Sequence, residues 1–180
     1  MRILIVYATT EGQTRKIARH AFDRLAAAGH ATELIGAEEA QGLDPSSYDA
    51  AILAGSVHAG RYQKSLGDFA SAMRDALARM PTLFLSVSLA AAGEDEADWK
   101  GIRDCVARFA DETGWTPGRV EHVAGAFRFS EYDFFKSWAM RWIASQKDQS
   151  VTPGVDKEYT DWASLERVLQ DWTQEVSAGK

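Results

Sequence analysis

A chain of 180 residues, 46 % hydrophobic and 26 % charged, carries enough apolar mass for one sizeable core. Its net charge of −6 argues against a general nucleic-acid binder, and its single cysteine, Cys105, excludes an internal disulfide and suggests a packed thiol in a reducing compartment. No apolar run is long enough to span a bilayer and the N-terminus enters a strand directly, without a removable leader, so an intracellular protein, soluble or peripheral, is expected.

Arg2-Ile3-Leu4-Ile5-Val6-Tyr7 is an apolar, β-branched run, the pattern of a buried strand. Ala8-Thr9-Thr10-Glu11-Gly12-Gln13-Thr14 follows, and then a helix on which Ile17, Ala18, Ala21, Phe22 and Leu25 recur on one face. A strand, a hydroxyl-bearing turn with glycine and a helix start form a geometry that binds phosphate. Backbone N–H groups at the helix N-terminus point at the anion, and the helix dipole favours negative charge there. Thr9, Thr10 and Thr14 add hydroxyl donors, and Gly12 lets the chain close around the anion, with Glu11 and Gln13 completing the turn. A P-loop needs a lysine where Gln13 stands, and no G-x-G-x-x-G is present, so the turn suits a phosphomonoester held by neutral donors. The same residue types also serve as ordinary helix caps.

Ala31 to Ile35 is a short second strand, and residues 37–48 form a polar connection with Pro45. Ala50 to Gly55 is a buried third strand, and the helix after it aligns Leu66, Phe69, Met73 and Leu77. Pro81 opens a fourth strand, Thr82 to Ser88, before a helix bearing Trp99, Ile102, Val106, Phe109 and Ala110. Val120 to Ala126 reads as a fifth strand, and a last helix with Trp162, Leu165, Val168, Leu169 and Trp172 closes the second face. This alternation predicts an α/β fold built on a doubly wound, five-stranded parallel sheet in the order 2-1-3-4-5, a single domain over 1–180.

In such a sheet the loops after strands one, three and four converge. The second of these is Ser56-Val57-His58-Ala59-Gly60-Arg61-Tyr62, whose small residues admit a planar ring, with Tyr62 placed to stack on it and His58 or Arg61 at its edge. The third is Ser88-Leu89-Ala90-Ala91-Ala92-Gly93, again small and neutral. Bland alternatives stand beside each: helix packing for Tyr62, solvation for His58, a surface charge for Arg61. No side chain stands out as a general base, and His58 is the one candidate.

Residues 127–158 are longer than a usual connection and make an aromatic insertion in the fifth-strand region. Phe135, Trp138, Ala139, Trp142 and Ile143 share a helical face beside Lys136 and Arg141, with Arg128 upstream. Two uses are open from the pattern alone: lying in a bilayer interface, or packing on the domain or a twin subunit in a homo-oligomer.

The turn Thr9-Thr10-Glu11-Gly12-Gln13-Thr14 resembles the flavodoxin family's loop for the phosphate of FMN. The likeness extends to the menaquinone-dependent protoporphyrinogen IX dehydrogenases through five segments in order: Tyr7 to Arg15, Gly55 to Tyr62, Phe84 to Leu89, Ala124 to Phe129, and Tyr159 to Trp162. The resemblance implies an FMN cofactor, a porphyrinogen substrate and menaquinone as acceptor, in an enzyme of the cytoplasm peripheral to the membrane face. By the same resemblance Thr9 to Thr14 hold the phosphate, Ser56 to Tyr62 and Ser88 to Gly93 hold the ring, and 127–143 contacts substrate or membrane. Two departures from the family pattern are the acidic Glu131 and Asp133 within the insertion and the acidic run Glu94 to Asp98 beside loop three. A flavodoxin-type electron carrier without a small substrate is the alternative, and its docking would use the acidic balance. A quinone reductase fed by NAD(P)H is a third reading, with no nicotinamide motif behind it.

Overall fold

In a computed structural model, residues 1–40, 42–127 and 156–179 are described. β1 (Arg2–Ala8) carries Ile3, Leu4, Ile5 and Val6 without any exposed surface, because it lies between two strands and under helices on both faces. It pairs in parallel with β2 (Ala31–Gly36) and with β3 (Ala50–Ser56). β4 (Thr82–Ser88) follows β3, and β5 (Arg119–Ala124) closes the sheet in the order 2-1-3-4-5, all strands parallel. The connecting helices are α1 (Gln13–Ala27), α2 (Lys64–Leu77) and α3 (Glu96–Thr113), and α4 (Trp162–Ala178) ends the described chain. The predicted α/β sheet and its strand order are therefore what the chain forms.

Alternate side chains of a strand point to opposite faces, so each central strand feeds two cores. Ile3, Ile5, Ile52, Leu83 and Leu85 meet Ile17 and Ala21 of α1 and Leu165, Leu169 and Trp172 of α4. Leu4, Val6, Leu53 and Phe84 meet Leu66 and Phe69 of α2, Phe109 of α3 and Trp115. Phe84 and Phe109 stack at 5.3 Å with their rings 8° apart. Phe22, Met73, Val106, Trp162 and Val168, expected on these faces, are only partly buried at their edges.

The fifth strand is shorter than the sequence pattern suggests. β5 stops at Ala124, and β6 (Ala126–Phe127) leaves the sheet to pair antiparallel with β7 (Lys157–Glu158). Gly125 is the hinge: its N–H donates to the Ser88 carbonyl at 3.0 Å and its own carbonyl accepts from Tyr159 N–H at 3.0 Å. β5 is the edge strand of the described sheet, with no described strand pairing on its outer side to hold the chain in line. Residues 128–155, which include Arg128, Phe135, Lys136, Trp138, Arg141 and Trp142, lie outside the described residues.

Candidate functional site

The C-terminal ends of β1, β3 and β4 lie side by side, with Ala8 opposite Gly55 and Ser56 opposite Val87, so the three loops that follow them meet along one edge. The first loop ends in a helix start with no side-chain cap. Gly12 occupies the N-cap in the left-handed region at φ 88°, and no acidic residue stands in the first turn of α1. No side chain among the described residues caps the initial N–H groups of α1, so they can serve an outside acceptor with the dipole behind them. Thr9 braces the turn from within, its hydroxyl accepting from Gly12 N–H at 2.9 Å. Thr14 is fully buried and its hydroxyl has no partner among the described residues. A buried, unsatisfied hydroxyl at an open helix start is the donor a bound phosphate group would use.

Gln13 does not share that role. Its amide turns away and donates to Thr160 Oγ1 at 2.9 Å, and Thr160 donates in turn to the Ala124 carbonyl at 2.7 Å. Glu11 lies partly buried between the exposed Thr10 and Gly12. Gln63, which the sequence reading passes over, donates to Thr10 Oγ1 at 3.0 Å and to Ser56 Oγ at 2.7 Å. It thereby ties the first loop to the end of β3, and its buried Oε1 has no partner among the described residues.

The second loop begins with Val57, whose N–H donates to the Val87 carbonyl at 2.8 Å. His58 and Arg61 then exchange backbone hydrogen bonds of 2.8 and 3.0 Å around Ala59 at φ 48° and Gly60 at φ 77°. Two central residues at positive φ make this a tight primed turn, and Ala59 is the one non-glycine at positive φ among the described residues. From behind, Gly60 O accepts from Cys105 Sγ at 3.2 Å and from Arg108 Nη1 at 3.1 Å, and Arg61 pairs with Glu112 at 3.2 Å.

Tyr62 meets an arrangement different from the expected stacking on a bound ring. Its ring turns into the second core, edge-on to Phe84 and Phe109 with both centroids at 5.0 Å. Its hydroxyl shares a 2.7 Å hydrogen bond with Ser86 Oγ, and burial pushes the phenol far above its ordinary range. An apolar ring at the entry to α2 finds more contact below the loop than above it.

In the third loop, Ser88 Oγ accepts from Ala91 N–H at 3.2 Å and starts a 3-10 turn over Ala90–Ala92. Leu89 is partly buried, and buried Gly93 accepts from Trp99 Nε1 at 2.8 Å. Asp95, part of the acidic run, caps α3 through the N–H groups of Ala97 and Asp98.

Beside the first loop runs a shallow groove of about 590 Å³, lined by Gly12, Arg15, Lys16, Arg19, His20, Asp23 and Trp162. Lys16 lies 5.2 Å from the Trp162 ring and pairs with Glu158 of β7 at 2.5 Å. Burial pushes the Glu158 carboxyl up, but hydrogen bonds from Lys16, Trp162 and Gln13 outweigh it and hold the group below its usual value. The groove thus joins the open helix start to the root of the insertion. Spacing along α1 places these cations together, yet only the tertiary contact with α4 adds Trp162.

Residues 4–152 match the family model described as the flavodoxin domain. The protoporphyrinogen IX dehydrogenase (quinone) of Escherichia coli K12 is 25 % identical over 165 residues, 92 % of this chain and 91 % of that protein. The protein of the same name from Leishmania major is 23 % identical over 172 residues, 95 % of this chain and 74 % of its own length. Among solved structures, a flavodoxin from Streptococcus pneumoniae TIGR4 superposes with TM-score 0.58 at 16 % identity, over all of both chains. An archaeal flavodoxin gives 0.56 at 13 % identity over 98 % of this chain and 99 % of its own.

Proposed function

The chain belongs to the flavodoxin domain family and is an FMN-type oxidoreductase, and from that premise we propose that it oxidises a porphyrinogen and delivers the electrons to menaquinone. The support for this finer reading is the end-to-end similarity to proteins named for that reaction, together with the long aromatic insertion that an electron carrier does not need.

The residues present fit the cofactor. The uncapped start of α1 and the orphaned Thr14 hydroxyl would hold the FMN phosphate, while Ser56 to Gly60 and Ser88 to Gly93 would border the ring with backbone dipoles. Bound there, the flavin would supply the redox chemistry. Gln63 fixes loop one against β3, so that phosphate and ring sites keep a constant separation. His58, partly buried at the base of the primed turn, is the candidate to hold a proton released by the substrate. Arg15 and Arg19 would meet the carboxylates of a porphyrinogen laid along the groove. Peripheral attachment to the cytoplasmic membrane face through 127–143 completes the proposal; among the described residues no helix is long and apolar enough to cross a membrane.

Porphyrin fluorescence tests this reading. Anaerobic FMN-loaded protein supplied with menaquinone should generate protoporphyrin from protoporphyrinogen IX, the six electrons passing pairwise through the flavin to three quinones, and flavin-free protein should not. Loaded protein that yields no porphyrin, yet is reduced by a flavodoxin reductase, would replace it with the electron-carrier reading, which the acidic run Glu94 to Asp98 suits.

A further inference from the structure

The turn in loop two is held in a conformation its own sequence does not favour. Primed turns select Asn, Asp or Gly at both central positions, and an alanine in the left-handed region costs about 1–2 kcal/mol. Ala59 nevertheless sits at φ 48°, so the surroundings must over-determine the turn.

The source of that constraint is one face of α3. Cys105, Arg108 and Glu112 succeed one another at helical spacing, and all three engage the turn. Cys105 Sγ at 3.2 Å and Arg108 Nη1 at 3.1 Å converge on a single acceptor, the Gly60 carbonyl. Burial pushes the Cys105 thiol up, so it remains a protonated donor at neutral pH. With two donors on its oxygen, the Gly60 carbonyl is fixed toward α3, and the plane of the following peptide is fixed with it. Oriented backbone dipoles beside a flavin ring favour one of its oxidation states over the other.

We propose that Arg108 and Cys105 are positioning residues that lock the 58–61 turn and thereby set the ratio of the protein's affinities for oxidised and reduced FMN. This rests on the reading that loop two borders the flavin ring. Neither residue need touch the cofactor.

The test compares Arg108→Ala, Cys105→Ala and the double variant with Arg108→Lys and Cys105→Ser, which keep a donor at each place. The readouts are the dissociation constant of oxidised FMN, from fluorescence quenching, and the midpoint potential of the bound flavin, from dye equilibration. The double variant should change the affinity ratio about tenfold, a shift of about 30 mV for a two-electron couple. Each donor-keeping variant should lie closer to the parent than its alanine counterpart. If the double variant does not fold, Arg108→Ala against Arg108→Lys decides the matter. Alanine variants that bind oxidised FMN and keep the parental potential would overturn the proposal. A parent protein whose bound flavin has the potential of free FMN would instead overturn the reading it rests on.

Discussion

Thr14 concentrates the argument at the scale of single residues. Its hydroxyl is buried without a partner among the described residues. A hydrogen bond to a charged phosphate contributes about 1.5–3 kcal/mol. Thr14→Val should therefore weaken FMN binding roughly 10- to 100-fold by that scale, while the melting temperature of the flavin-free protein stays the same or rises. Fluorescence titration and a thermal melt separate the two effects. Tyr62 makes a pH prediction. Its folded pKa is raised, so the neutral phenol stabilises the protein fully below the unfolded value of about 10, and that contribution is lost as pH rises above it. Denaturant midpoints followed from neutral to alkaline pH should fall for the parent, and less steeply for Tyr62→Phe. The composition of the 9–14 turn was legible because its chemistry is local. Gln63 was not, because its bonds to Thr10 and Ser56 span loops that only the folded sheet brings together. The inward turn of the Tyr62 ring was hidden for the same reason.

Among the elements, the central strands declared themselves as unbroken apolar runs, since strands covered on both faces need no polar alternation. The end of β5 did not. Gly125, Ala126 and Phe127 continue the pattern of the strand, and the partner that draws the chain away, Lys157–Glu158, lies far along the sequence. Packing between elements gives a sharp stability prediction at Gly55. A Cβ there would stand 2.5 Å from Leu66 Cδ2 and 3.0 Å from Tyr62 Cδ1, where α2 crosses β3. Gly55→Ala should cost about 1–3 kcal/mol of overpacking, read as a lowered urea midpoint. The groove along α1 yields a kinetic one. If Arg15 meets a substrate carboxylate, Arg15→Glu should raise the KM for porphyrinogen about fivefold, the effect of about 1 kcal/mol, and leave kcat nearly unchanged. An unchanged KM would remove the groove from the substrate path.

For the whole molecule, sheet order, family and cofactor agree, and the sheet order is what brings the three loops to one edge. A fold of this kind hosts both carriers and enzymes, so it does not choose between them. Identity of 23–25 % to the named dehydrogenases supports the enzyme, and the net charge of −6 supports the carrier. The long insertion was visible in the sequence as a length and a composition, which suggest contact with an apolar surface without specifying one. Redox stoichiometry decides between the two directly. FMN-loaded protein would be mixed anaerobically with protoporphyrinogen IX, and flavin absorbance followed before and after menaquinone is added. With protein in excess over substrate, the account predicts three flavins bleached for each porphyrin formed, because the oxidation removes six electrons and each flavin takes two, then recovery of the oxidised spectrum at one menaquinone per reduced flavin. A flavin that stays oxidised with substrate, in protein shown to be fully loaded, would contradict it.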